Sequence, residues 1–87
     1  MKTQVMTFRI SNSFEEWAKN FDSHLEIQKA AGMTPLFRGP HESDPQKVCI
    51  VIQIADDEKA DKFMQENEAE ILKSGHILET TEVNKYL

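Results

Sequence analysis

The stretch that decides the fold is Lys47–Ala55, KVCIVIQIA, in which most residues are apolar. Successive side chains of a strand point to opposite faces of its sheet. One face of this stretch carries only branched aliphatic residues: Val48, Ile50, Ile52 and Ile54. The other face carries Cys49, Val51 and Gln53. A strand that is apolar on both faces is usually covered on both, so we predict a central strand whose sheet needs two covering layers.

Three further strands are predicted around this one. Val5–Ile10 alternates between two kinds of side chain, which is typical of a strand with two different faces. Thr34–Arg38 is a short strand, and Pro35 places it at an edge because proline has no N–H to donate to a neighbouring strand. His76–Leu87 supplies the last strand. The intervening loop 39–45 holds two prolines and is predicted to be too long for a tight hairpin.

Two helical segments separate these strands. Ser13–Glu16 reads as a capping box in front of an apolar stripe with three- and four-residue steps, and Gly32 suits the end of that helix. A second capping signal at Asp22–Ser23 leaves two alternatives open, a kinked helix or two helices. Asp56 caps the second helix, which ends before Gly75.

The order strand, helix, strand, strand, helix, strand predicts one α+β domain over residues 1–87, a four-stranded antiparallel sheet with its helices on one face. The other face would leave Cys49 and Val51 uncovered. Burying a few hundred Å² of apolar surface contributes several kcal/mol at roughly 25 cal/mol per Å². A homodimer that packs sheet against sheet is the simplest predicted cover. Whether the last strand pairs within its own sheet or with the partner stays open.

Composition excludes several classes of partner. Lys and Arg number 10 against 15 acidic residues, a net charge of −5 without a basic cluster, so nucleic acid and anionic membranes are not expected. No apolar run approaches the roughly 20 residues of a membrane helix. A single cysteine and a start without a signal core predict a cytoplasmic protein. Neither metal-ligand spacing nor a glycine-rich phosphate loop is present, so no metal or cofactor is expected.

Polar residues on the predicted open face suggest a ligand site between two facing sheets. Arg9 of the first strand and Gln53 of the third would lie among apolar neighbours, which is the usual make-up of a small-molecule site. Arg9 would hold a carboxylate or enolate, and Gln53 would orient a carbonyl. The alternative for Arg9 is a solvated position paired with a surface carboxylate.

Histidine is the usual general base, and the chain has three. His76 is the first candidate for ligand binding or proton transfer, because it begins the last strand beside a helix end. The alternative is a boundary residue bonded to backbone. His24 and His41 are predicted to be solvated, and no catalytic set is identified.

Four stretches resemble a known family: Ser13–Trp17, Ala31–Gly39, Asp44–Val48 and Ser74–Glu82. They are similar to a family of small uncharacterised proteins, a domain of unknown function known mainly from marine cyanobacteria, and the resemblance covers the whole chain. It implies a lineage and no mechanism. The order of elements is also similar to the ferredoxin-like dimeric α+β barrels. These include cofactor-free antibiotic-biosynthesis monooxygenases and muconolactone isomerases.

Two functions of different classes follow. The first is a non-enzymatic homodimer that binds a small molecule or a protein partner, and it is preferred because it requires no catalytic group. The alternative is a cofactor-free monooxygenase- or isomerase-like enzyme that acts on a small aromatic or enolisable substrate inside the barrel.

Overall fold

A computed structural model describes residues 1–87 of the chain, which form four strands and four short helices. The elements in chain order are β1 (Lys2–Ile10), α1 (Phe14–Ser23), α2 (Leu25–Ala30), β2 (Met33–His41), β3 (Asp44–Ile54), α3 (Asp57–Glu66), α4 (Glu68–Lys73) and β4 (His76–Tyr86). The strands make one antiparallel sheet in the order β2-β3-β1-β4. The predicted βαββαβ order, the central β3 and the edge position of β2 are thereby confirmed, although each predicted helix is divided in two.

The core lies between the helices and one face of the sheet. β1 and β3 pair so that Met6 lies opposite Ile50 and Phe8 opposite Val48. The helices add four buried hydrophobic residues to this face: Trp17, Ala18, Ala60 and Phe63. Phe8 and Val48 are among the most deeply buried side chains, because the four-residue steps of the helices place their apolar stripes directly above these strands.

Both helical segments break at one residue. Ser13 Oγ accepts a hydrogen bond from the Glu16 N–H at 3.2 Å, which caps α1 as predicted. α1 then stops before His24 and α2 follows it, so the two-helix alternative is correct. Asn67 divides α3 from α4 in the same way. This second break was not predicted, although Asn67 followed three residues later by Glu70 has the spacing of a capping signal.

The prediction of a long loop between β2 and β3 is wrong. β2 continues to His41 and β3 begins at Asp44, which leaves a two-residue turn. His41 Nδ1 accepts the backbone N–H of Ser43 at 3.1 Å within this turn. Pro40 lies on the edge strand, and Pro45 lies beyond the part of β3 that pairs with β1. Both are positions where a missing N–H is tolerated.

β4 pairs with β1 of its own chain, which resolves the open question of its partner strand. The pairing runs from Ile10–His76 to Thr3–Tyr86 and is interrupted by a bulge between the pairs of Thr7 and Arg9. Thr80 Oγ1 accepts the Arg9 backbone N–H at 2.8 Å within the bulge and so replaces a bond of the ladder. Bulges re-aim side chains next to the irregularity, and this one brings Thr81 to the ring of His76.

Candidate functional site

A cavity of about 80 Å³ lies between the helices and the sheet and is partly open to solvent. Ten of its eighteen lining residues are hydrophobic, so its walls are mainly apolar. Met6 and Phe8 of the sheet form part of the floor, and Trp17, Phe21 and Met64 of the helices form part of the roof. The cavity is therefore on the covered face of the sheet, whereas the sequence predicted a site on the open face.

His76 is the one predicted site residue that lines this cavity. It is 6% exposed, and its ring stacks on Phe8 with the centroids 3.8 Å apart and the planes 11° apart. Its Nε2 lies 2.7 Å from Thr81 Oγ1, so its partner is a side chain rather than backbone. Burial lowers the pKa of His76 to about 4. The ring is consequently neutral at pH 7, and a base this weak is poorly suited to proton abstraction.

The two helix breaks bring polar side chains to the cavity. His24 Nδ1 lies 2.8 Å from the carbonyl oxygen of Asn20. A carbonyl only accepts, so Nδ1 carries the hydrogen, and Nε2 of this tautomer is an acceptor. Asn67 Nδ2 donates to the Phe63 carbonyl at 2.9 Å. His24 was predicted to be solvated; it is instead half-buried and lines the cavity. His41 is exposed, as predicted.

Gln28 of α2 is a buried polar residue that the sequence analysis missed. It is 7% exposed and lines the cavity, and its Oε1 has no hydrogen-bond partner. Most buried polar groups in proteins are bonded, so an unpartnered one requires an explanation. The sequence signal that could have predicted its burial is its spacing, because Gln28 continues the apolar stripe through Phe21 and Leu25 at three- and four-residue steps.

Arg9 and Gln53 lie on the opposite face of the sheet from the cavity. Their side chains alternate with Phe8 and Ile52, which point to the helices. Arg9 Nη1 donates to Asp44 Oδ2 at 2.6 Å, and this hydrogen bond lowers the pKa of the Asp44 carboxyl below its usual value. The Arg9 side chain is 45% exposed. The alternative in which Arg9 pairs with a surface carboxylate therefore describes the structure, and His76 shares no cavity with Arg9 or Gln53.

The open face of the sheet carries an uncovered apolar area. Val5, Cys49 and Val51 are half-buried in its centre, and Phe37 of β2 and Tyr86 of β4 are 55% and 58% exposed at its sides. The Phe37 ring lies over Gly39, where a Cβ atom would come within 2.7 Å of it. We call these five residues, Val5, Phe37, Cys49, Val51 and Tyr86, the open-face patch.

Comparison with known protein families gives one match, and it extends over all of residues 1–87. The chain belongs to the family described as Domain of unknown function (DUF3764). No curated protein matches this DUF3764 chain. Of its helices, none is long and apolar enough to cross a membrane.

Solved structures share the fold of this DUF3764 chain. A candidate antibiotic biosynthesis monooxygenase from Bordetella bronchiseptica has a TM-score of 0.76 at 10% identity, with 99% of this chain and 94% of that one covered. An uncharacterised NIPSNAP domain protein from Burkholderia xenovorans has a TM-score of 0.67 at 12% identity, with 100% and 93% covered. A dimeric ferredoxin-like protein from an uncultured marine organism has a TM-score of 0.50 at 10% identity, with 98% and 89% covered. At such identities the similarity establishes the ferredoxin-like fold alone.

Proposed function

We propose that the protein is a non-enzymatic homodimer that binds a small, largely apolar molecule in the cavity between its helices and its sheet. The observation that carries the proposal is the cavity itself, which has apolar walls and a few converging polar groups from His24, Gln28 and His76. This is the usual make-up of a small-molecule site. Close packing normally leaves few voids larger than a water molecule in a core, so a cavity of this size is a feature of the fold that calls for an occupant.

The volume limits the ligand. A water molecule occupies about 30 Å³ in the liquid, and an engineered apolar cavity of about 150 Å³ binds benzene. In proportion to the six ring atoms of benzene, about 80 Å³ holds roughly three non-hydrogen atoms, or the buried end of a larger ligand that extends through the open side. Aliphatic and aromatic groups suit the walls, because Phe21 and Met64 offer apolar surface and Trp17 offers mainly its ring face.

The open-face patch supports the homodimer. A second copy would cover Val51 and Cys49 of each chain with the same residues of its partner, since a two-fold interface is self-complementary. The dimeric ferredoxin-like protein among the structural neighbours adds support, because its fold is similar to that of this chain. Arg9 and Gln53 border this surface, and a ligand role for them remains a prediction that requires a second site between the two sheets.

A second candidate is a cofactor-free monooxygenase- or isomerase-like enzyme. The observation that favours it is the fold shared with a candidate antibiotic biosynthesis monooxygenase. We rank it second because the buried ring of His76, whose pKa is lowered to about 4, is a weak base. Oxygen uptake, measured with small phenols and enolisable ketones as substrates, would favour the enzyme if uptake depended on the protein and stopped when the cavity was filled.

The cavity proposal is tested by titrating the methyl-labelled protein with furan, a five-atom apolar ring, and following the methionine and isoleucine methyl signals by NMR. Ile71→Trp fills the cavity, and Leu72→Trp is the matched control because Leu72 is exposed and does not line the cavity. We expect saturable shifts at Met33 and Met64 in the wild type and in the control, and none in Ile71→Trp. Equal binding by both variants would contradict the proposal.

The dimer proposal is tested by light scattering during size-exclusion chromatography. Val51→Lys places a charge in the centre of the open-face patch, where burial against a partner would be costly. Leu72→Lys makes the same chemical change on an exposed helix position. We expect a dimeric wild type, a dimeric Leu72→Lys and a monomeric Val51→Lys. A wild type that is monomeric at high protein concentration would refute the dimer.

A further inference from the structure

We propose that the ligand of this cavity is an uncharged molecule whose N–H or O–H donor is accepted by the side-chain oxygen of Gln28. The inference rests on the proposed ligand binding and adds the chemical class of the ligand. It comes from two properties of the lining: one buried acceptor without a partner, and the absence of any buried formal charge.

The acceptor is Gln28 Oε1. The residue is more than nine-tenths buried, it lines the cavity, and this oxygen has no partner within the protein. A buried acceptor that no longer bonds to water and has no partner in the protein is unfavourable. A donor on a ligand would restore the missing hydrogen bond. The ligand should therefore carry a donor on the part that enters the cavity.

A ligand with a formal charge of either sign is disfavoured. No lysine or arginine lines the cavity, so a buried carboxylate or phosphate would have no cation beside it. The only carboxylate in the lining is Glu70, which is half-exposed and lies 3.7 Å from the ammonium of Lys73. A buried ammonium would thus have no unpaired anion to neutralise it. Charges taken from water without a partner are strongly unfavourable, so the ligand should be neutral.

Two of the remaining polar groups of the lining already have a partner within the protein. His76 Nε2 is already bonded to Thr81, and Asn67 Nδ2 is bonded to the Phe63 carbonyl. His24 presents a second acceptor, Nε2, at the helix break. The class that fits is a small neutral ring or chain with a hydroxyl or a heteroaromatic N–H.

The test compares pyrrole and furan, two rings of five atoms that differ in having an N–H donor or an ether oxygen. Propionate and propylammonium are the charged probes of similar size. Binding to the wild-type protein is followed by the NMR signals of Met33 and Met64. We expect pyrrole to bind about fivefold or more tightly than furan, as one net hydrogen bond would provide. Neither ion should bind in the range where furan does.

Variants assign the effect to Gln28. Gln28→Met keeps the length of the side chain and removes its oxygen, and Gln65→Met is the matched control on an exposed helix position outside the cavity. The ratio of pyrrole to furan affinity should fall to about one in Gln28→Met and stay at the wild-type value in the control. An unchanged ratio in Gln28→Met overturns the inference.

The outcomes separate the inference from the proposed function. Equal or tighter binding of furan, or tight binding of propionate or propylammonium, would overturn the inference and leave the cavity as a ligand site. If none of the four probes binds, the proposed function fails and the inference fails with it. The wild-type ratio decides between these outcomes even if Gln28→Met does not fold.

Discussion

The buried ring of His76 should make the stability of the fold depend on pH in a range where the carboxylates still contribute little. The pKa of His76 is lowered from 6.5 to about 4 by burial, so the folded state binds the proton less well than the unfolded chain. Protonation therefore favours unfolding. The stability that the neutral ring contributes is complete above about pH 6.5 and is lost as the pH falls toward 4.

The magnitude follows from the two pKa values. Linkage with 6.5 in the unfolded chain and about 4 in the folded protein gives a loss of roughly 2 kcal/mol between pH 7 and pH 5. The open side of the cavity lets solvent reach part of the ring, so this figure is an upper value. The lowered pKa values of Asp44 and Asp57 act in the same direction, but their stabilisation is lost only below the ordinary carboxyl range.

The assay is urea denaturation at pH 7, 6 and 5, with His76→Gln as the variant, because glutamine does not titrate and can still bond to Thr81. His41→Gln is the control, since His41 is exposed. The free energy of unfolding of the wild type and the control should fall by roughly 2 kcal/mol over this range, and that of His76→Gln should stay nearly constant. Parallel pH dependence of wild type and His76→Gln would refute the assignment of a buried neutral ring.

Four further substitutions test other parts of the structure by urea denaturation. Gln28→Met should stabilise the unliganded protein by about 1 kcal/mol, because it removes an unpaired buried acceptor at constant length; a loss of more than 1 kcal/mol would mean that the oxygen is satisfied. Gly75→Ala should cost about 2 kcal/mol or more, since its φ is +98° and a Cβ atom would overlap Asn12, whereas Gly32→Ala, with φ +77° and only ordinary van der Waals contacts, should cost about 1 kcal/mol. Arg9→Met should cost less than about 1 kcal/mol, as expected for an exposed ion pair; a larger loss would indicate a structural role.

The sequence predicted the sheet because each strand is encoded locally. The alternation in Val5–Ile10 and the double apolar face of Lys47–Ala55 follow from the two-residue period of a strand, and they hold whatever the strands pack against. The break at His24 was visible as one of two alternatives, since the second capping signal lies directly before it. The break at Asn67 carries a comparable signal, Asn67 three residues before Glu70, which was overlooked. The tight turn before Asp44 was not predicted because two prolines indicated a loop, although both lie where a missing N–H is tolerated.

The candidate site was harder to predict, because it depends on how separate elements meet. His76 was identified from its place at a strand start, but its burial depends on the ring of Phe8 and on the bulge that brings Thr81 to it. Arg9 and Gln53 were assigned to the correct face, yet the cavity lies on the other one. Gln28 occupies a position of the apolar helix stripe, and what distinguishes it is the cavity beside it. Local sequence patterns do not predict a cavity.

The cavity and the open-face patch lie on opposite faces of the same sheet, so the two proposals can be tested independently. Val51 contributes to the open-face patch, and its neighbour Ile50 lines the cavity through the same strand. If the dimer only covers apolar surface, monomeric Val51→Lys should bind furan with the wild-type affinity, measured by the same methyl shifts. If the partner instead holds β1 and β3 in the geometry that keeps the cavity open, the affinity should fall together with the dimer fraction. Equal affinity in monomer and dimer would therefore assign the ligand site to each chain alone, and a loss of about tenfold or more would correspond to a coupling free energy of about 1.4 kcal/mol between the two faces.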